Sequence, residues 1–337
     1  MKTLERTSLA GCAKELEANG HAERMMQRRQ ATLEKARMDR GLSGKHHLKI
    51  RQVADSPHSS SENYDMETPN WVLFGDNQTT VLSPEVTEGP FWVSGELVRN
   101  DIREGQAGVD LHLDIQVMDM NTCKPVPNAA IDFWHANATG VYGGVISTTN
   151  AGNPNDMTNL QNHAFRGIQM TDEDGVVEFF SKMPGHYEGR AVHIHVMSTL
   201  NATQNANSTI SGGKVAHVGQ LYFDMPLNEA VKLVEPYASN NMTFTQNGED
   251  NLFAEGGATG ADPVVEYTLL GDKIEDGVFA WINFGVDAGY VRNVSAAATC
   301  GEGGCVMNPS SGKGKGKGKG KGPDGMMPPP PKRQLWV

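Results

Sequence analysis

Short alternating apolar runs separated by turn residues predict an all-β fold, a two-sheet antiparallel β-sandwich. Three observations carry that expectation. Leu111, Leu113, Ile115 and Val117 alternate with polar residues, the period of a strand with one buried face. Comparable runs recur at residues 130–134, 176–180, 192–197, 220–223, 264–270 and 278–284. Turn-rich stretches such as DMNTCKPVP and Asp-Gly and Pro-Gly pairs punctuate them, and within this body only residues 228–237 read as a helix.

The two ends have a different character. Residues 4–40 are charged and helix-favouring, with a break at Gly20 after Gly11 and with Leu9, Cys12 and Leu16 on one face. Two short helices are expected there, either packing on the domain or pairing subunits into a homodimer. Residues 55–67 are Ser/Asn/His-rich and read as a linker. GKGKGKGKGKG, a proline run and KRQLWV close the chain, a low-complexity stretch that cannot bury a core and reads as disordered. The expected organisation is a basic helical extension over 1–52, a linker over 53–68, a catalytic β-sandwich over 69–300 and a tail over 301–337.

Charge follows the same division. Residues 1–52 hold 12 Lys/Arg against 6 Asp/Glu, residues 306–337 hold 7 against 1, and the body between them holds 10 against 33. A body that acidic disfavours nucleic acid as a partner. The basic ends could clamp onto it or bind an anionic cell-wall or lignin-like polymer. No apolar run approaches the length of a membrane span.

The chemistry concentrates in PGHYEGRAVHIHV, residues 184–196. His193 and His195 are two apart on an alternating run, so both imidazoles leave one face of a strand. Such a pair can be an ordinary polar strand face, but Tyr187 follows the Pro-Gly turn and Arg190 precedes His193 by three residues. A second tyrosine, Tyr142, closes IDFWHANATGVYGG, where a strand runs into an Asn/Gly-rich loop. Imidazole serves several metals, whereas phenolate is a hard donor, so two of each select Fe(III). Zinc more usually recruits Cys, His or carboxylate, and Cys12, Cys123, Cys300 and Cys305 lack CxxC spacing. Four cysteines leave three disulfide pairings open.

The ordered blocks EGPFWV, DFWHANATGVYGG, FRGIQMTDEDG, PGHYEGRAVHIHV and GQLYF, spread over residues 69–291, resemble the intradiol ring-cleavage dioxygenases, most closely their fungal extracellular branch. The resemblance implies that family's fold and a non-haem Fe(III) held by Tyr142, Tyr187, His193 and His195. It makes Tyr142 the equatorial tyrosinate and Tyr187 the axial one that gives way to substrate. Arg190 matches the arginine beside the substrate ring, and Gln220 the glutamine that helps steer ring opening. The implied reaction inserts both atoms of O2 into a small catechol-type diol to give a cis,cis-muconate. Tyr187 and His193 are closer together here than in the protocatechuate and catechol enzymes, so catechol, hydroxyquinol, protocatechuate and larger lignin-derived diols all stay open as substrates. Two other classes compete: a β-sandwich binding module without chemistry, and a zinc hydrolase using the same histidines. The complete set of six residues speaks against the first, and the lack of a carboxylate or Cys companion near the histidines against the second.

Location is contested within the sequence. N-x-S/T sequons at Asn77, Asn137, Asn201, Asn207, Asn241 and Asn293 and an even cysteine set suit a secreted glycoprotein. Residues 1–20 carry charges throughout and have no apolar core of a signal peptide. Secretion is expected with the signal missing from this sequence, a cytoplasmic form being the alternative. A glycan on Asn137 would obstruct the loop leading to Tyr142.

Overall fold

The computed structural model describes Cys12, Leu16 and residues 18–42, 80–81, 86–148, 152–257 and 262–309. Leu9, the linker over 53–68, Asn77 and the Lys-Gly tail lie outside the described residues. In chain order the early strands are β1 (Thr80–Val81), β2 (Val93–Ser94), β3 (Asp110–Asp119), β4 (Lys124–Pro125), β5 (Ala130–Trp134) and β6 (Arg166–Met170). There follow β7 (Val176–Lys182), β8 (His193–Gln204), β9 (Ile210–Tyr222), β10 (Glu266–Leu269), β11 (Val278–Val286), β12 (Ala298–Gly301) and β13 (Gly304–Met307).

The body is mostly β, with β1, β3, β4, β7, β10 and β11 in a six-stranded sheet and β6-β5-β8-β9 in a four-stranded one. A third sheet, β13-β12-β2, adds to the expected pair. The two larger sheets share one core: Leu111, Leu113, Ile115 and Val117 of β3 cluster with Phe133 of β5, Ile194 and Val196 of β8 and Leu221 of β9. Their alternation in sequence is this burial. The pairing is not wholly antiparallel as expected, because β3 runs parallel to β11, with Ile115 opposite Ile282. No tight turn joins these two strands, so nothing local forces them antiparallel.

The outward positions of β3 would face water if the sheet were open on that side. Helix α1 (His21–Asp39) covers them instead. It starts after Gly20, which takes the left-handed conformation at φ 68°, and it buries Met25, Leu33 and Ala36. Leu33 and Ala36 pack on Leu270, Phe279 and Trp281. Asp114 of β3, fully buried beneath the helix, accepts from Arg29 Nε at 2.8 Å and from Arg28 Nη2 at 2.9 Å. The structure shows packing on the domain, one of the two roles expected for this segment. Its basic residues clamp onto the acidic body.

Burial alone would raise the Asp114 pKa, but the two arginines outweigh it and hold the carboxyl below its ordinary value. That stabilisation is fully present above pH ~4 and is lost as pH falls through the lowered folded value. Arg29→Ala, which leaves Arg28 as the partner, is expected to lower unfolding stability by about 3 kcal/mol, the lower end for a broken buried pair. Urea denaturation checks this, and a loss under about 1 kcal/mol would show the pair to be dispensable.

Both disulfide pairs are resolved: Cys12–Cys123 and Cys300–Cys305. The first ties the N-terminal segment to the end of β3, where Leu16, Met118 and Met120 pack around it. The second joins β12 to β13, and this hairpin crosses the domain boundary expected at residue 300.

The helix expected over 228–237 is displaced. Helix α2 (Met225–Lys232) begins earlier because Asp224 caps it, its carboxylate accepting from Leu227 N at 2.9 Å. It stops short because Pro236 disfavours helical conformation in the residue before it. A second short helix in the body, α3 (Asn251–Gly257), was not expected, nor was strand β6.

Candidate active site

The four-stranded sheet sets out the histidines. β8 is paired on both edges, so Trp134 of β5 stands opposite His195, Gln220 of β9 stands opposite His195 on the other edge, and Tyr222 opposite His193. Both imidazoles are buried, at 3% and 1% exposure. Trp134 lies flat on His195, with ring centroids 4.8 Å apart and planes at 6°. Tyr142 arrives from the loop after β5 and Tyr187 from the loop before β8, and their rings meet at 5.9 Å, edge to face. The two loops touch backbone to backbone: a Cβ on Gly185 would lie 2.2 Å from Ala138 O, so no side chain fits between them.

All four predicted ligands converge on one atom. Nε2 of His193 lies 3.2 Å from Tyr142 Oη, 3.3 Å from Tyr187 Oη and 3.1 Å from His195 Nε2. Its other nitrogen, Nδ1, lies 2.6 Å from Ala191 O, an acceptor only, so that nitrogen carries the proton. Nε2 therefore presents a single lone pair to three close neighbours, and it can accept one good hydrogen bond at most. His195 Nδ1 is buried and unpartnered as well. A cluster this oversubscribed is one that a cation resolves, and two phenol oxygens with two imidazole nitrogens form the donor set of a hard, highly charged ion.

Electrostatics agree. Burial first, then the neighbouring Tyr187, pushes the Tyr142 phenol well up. Burial likewise raises Tyr187. Burial, with Arg190 next for His193 and with His193 next for His195, holds both imidazoles well below their ordinary range. Without a cation the cluster is neutral, and the imidazoles keep their lone pairs at any physiological pH.

Arg190 divides its guanidinium among three tasks. Nε donates to Asp250 Oδ2 at 2.9 Å, Nη2 donates to Gln220 Oε1 and to Tyr222 Oη, and Nη1 lies 3.5 Å from His193 Nε2. Arginine cannot accept a hydrogen bond, so the Gln220 atom facing it is the carbonyl oxygen. Tyr222 Oη donates to the same oxygen at 2.8 Å. The Gln220 amide nitrogen is thereby turned away as a buried donor with no partner.

The structure thus brings together all six expected residues and adds others. Phe91 stacks on Tyr142 at 4.3 Å and meets Tyr187 edge-on at 6.1 Å. Arg166 of β6, buried, donates to Gly143 O at 2.8 Å and Phe91 O at 2.6 Å while pairing with Glu96 at 3.0 Å, and so fixes the Tyr142 loop. Phe91, Trp134 and Arg166 all sit inside the conspicuous sequence blocks, where their aromatic and basic character was a usable signal. Asp250, in the stretch NGED, had no pattern to mark it.

Two other features compete for attention and lose. His163, Cys300 and Cys305 place ligand atoms within 4.8 Å, but the two sulfurs are joined to each other and offer no thiolate. An open cleft of about 590 Å³ is lined by Asp101, Arg103, Glu104, Gly105, Gln106 and Lys182, none of which belongs to the Tyr/His cluster.

A dioxygenase family model matches residues 83–232, which include every residue of the cluster. No curated protein sequence matches the chain. Among solved structures, the intradiol ring-cleavage dioxygenase from Tetranychus urticae is similar at 28% identity with a TM-score of 0.53, over 63% of this chain and 97% of that one. A second dioxygenase crystal structure matches at 28% identity and TM-score 0.53, over 64% and 98%. The dioxygenase domain of a carbohydrate-binding fusion from Streptomyces sp. SirexAA-E aligns at 26% identity and TM-score 0.39, over 63% and 99%. The first two share the mostly-β fold along nearly their whole length. With a dioxygenase family model matched over residues 83–232 and that fold shared around the Tyr/His cluster, the chain carries a dioxygenase segment and is similar to the intradiol ring-cleavage dioxygenases.

Proposed function

We propose that this enzyme binds Fe(III) through Tyr142, Tyr187, His193 and His195 and inserts both atoms of O2 into a catechol-type diol to give a cis,cis-muconate. The observation that carries the reading is the oversubscribed His193 Nε2, with two phenol oxygens and a second imidazole within 3.3 Å of it. Fe(III) held there by the two phenol oxygens and two imidazole nitrogens would supply Lewis acidity toward the bound diol.

The remaining chemistry belongs to the chain. Tyr187, at 5% exposure against 1% for Tyr142, is the less embedded phenol and the one suited to give way. Burial raises its pKa, so a freed Tyr187 Oη is a strong base and holds a proton taken from the diol. Arg190 Nη1 aims a fixed positive charge at the ring as negative charge develops on it. The unpartnered Gln220 Nε2 supplies a donor to a substrate oxygen. Phe91 and Trp134 wall off water, which strengthens these interactions.

The purified protein is expected to be red to brown from phenolate-to-iron charge transfer, with about one iron per chain. A colourless protein carrying zinc would sink this reading in favour of hydrolytic chemistry.

We also propose secretion as a glycoprotein. Two disulfides suit an oxidising compartment. Asn201, Asn207, Asn241 and Asn293 are exposed, as a glycan acceptor must be. Asn137 is a different case, since its side-chain oxygen accepts from Thr139 N and Val141 N at 3.0 Å each and shapes the loop to Tyr142.

A further inference from the structure

Arg190 has the right charge for the ring of a bound diol, but an arginine side chain has several rotatable bonds, and charge helps catalysis only where it is held still. Gln220 and Tyr222 of β9 hold its Nη2, and the anchor on its Nε comes from outside the strands that carry the site. Asp250 lies between a short 3-10 turn (Asn247–Glu249) and α3, is 2% exposed and spends its two oxygens differently. Oδ1 accepts from Leu252 N at 2.8 Å and closes the entry to the helix. Oδ2 accepts from Arg190 Nε and from Ala191 N, each at 2.9 Å.

The same segment laces onto the Tyr187 loop at further points. Asn240 donates to His186 O at 2.8 Å, and Gly189 N donates to Thr245 Oγ1 at 3.1 Å. His186 Nε2 lies 3.0 Å from Met242 O, and Phe253 of α3 meets Tyr222 edge-on at 5.0 Å. Ala191 is also the residue whose carbonyl fixes the proton on His193. Asp250 Oδ2 therefore grips the backbone N–H of the residue that orients His193 and, with the same atom, the side chain of Arg190.

We propose that Asp250 is a positioning residue for the ring-cleavage reaction: it locks the Arg190 guanidinium so that Nη1 faces the diol site and Nη2 holds the Gln220 amide turned toward it. This rests on the reading given under Proposed function. Asp250 touches neither the cluster nor the diol site directly, and it acts through Arg190.

Asp250→Asn separates this role from that of a helix cap. Asparagine caps as well as aspartate does, so its oxygen can stay on Leu252 N while its NH2 is left facing two other donors, Arg190 Nε and Ala191 N. In iron-loaded full-length protein, kcat for catechol is expected to fall about 10- to 100-fold, the scale of a misplaced catalytic group. KM should change by less than about threefold, because Arg190 acts on charge that develops only in the transition state. Iron content and the visible band should match wild type, and a crystal structure of the variant should show Arg190 Nε turned away from residue 250. Asp250→Glu, which restores the charge one methylene away, should recover part of the rate, and it serves also if the asparagine variant does not fold. In an Arg190→Met background, Asp250→Asn should cost less than about threefold more, since its target is already gone. Wild-type kcat in Asp250→Asn, loss of iron in step with activity, or the full cost repeated in the Arg190→Met background would each overturn the proposal. A wild-type protein without iron or colour would instead sink the functional reading, whatever Asp250→Asn does.

Discussion

His193→Ala is expected to give a folded, colourless protein that retains less than about a tenth of an iron per chain and has no measurable diol cleavage. The expectation comes from position as much as from residue type. His193 Nε2 is the atom on which both phenol oxygens and His195 converge, so its removal takes away the common point of the cluster. Loss of an outer partner of a metal ligand costs about 10- to 100-fold in affinity or activity, and loss of the ligand itself should exceed that. The fold should survive, because the core residues of β8 are Ile194 and Val196 on the opposite face. A buried imidazole truncated to a methyl should cost about 1–3 kcal/mol. Metal analysis, the visible spectrum and circular dichroism together check the three parts. Full iron occupancy with unchanged rate would put the metal elsewhere.

Tyr187→Phe should behave differently. Phenylalanine fills nearly the same space, so the edge-to-face contact with Phe91 at 6.1 Å should persist and the loop should keep its place. Three ligands remain, so much of the iron should stay bound, while one phenolate is lost from the chromophore and the visible band weakens. Turnover should slow by about 100-fold, the low end for loss of a positioned base. Unchanged colour and rate would remove Tyr187 from the metal and leave its burial as simple packing.

The chemistry-bearing residues were legible in the sequence because local rules decide where they point. A two-residue period puts His193 and His195 on one face wherever the strand goes, and a Pro-Gly turn or an Asn/Gly-rich loop presents a tyrosine at a strand end whatever it then meets. The β class was legible for the same reason, since Leu111, Leu113, Ile115 and Val117 needed only an apolar layer opposite them. Gly20 marked the start of α1 because a left-handed backbone there is nearly free only for glycine.

Only the tertiary structure decided the rest, because those features are contacts between segments far apart in the chain. No local rule makes β11 lie parallel to β3, and none tells which of the three cysteine pairings forms. Asp114 reads as a solvent-facing position of an alternating strand, and it becomes a buried carboxylate only when Arg28 and Arg29 arrive on a helix some 85 residues upstream. Asp250 is an ordinary loop acid until folding sets it 2.9 Å from Arg190 Nε. Sequence determined the kinds of donor and the faces they leave from, through the short-range geometry of strand and turn. Which atoms meet, and which arginine is held still beside them, was settled by the packing of distant segments, whose energies no short stretch of sequence contains.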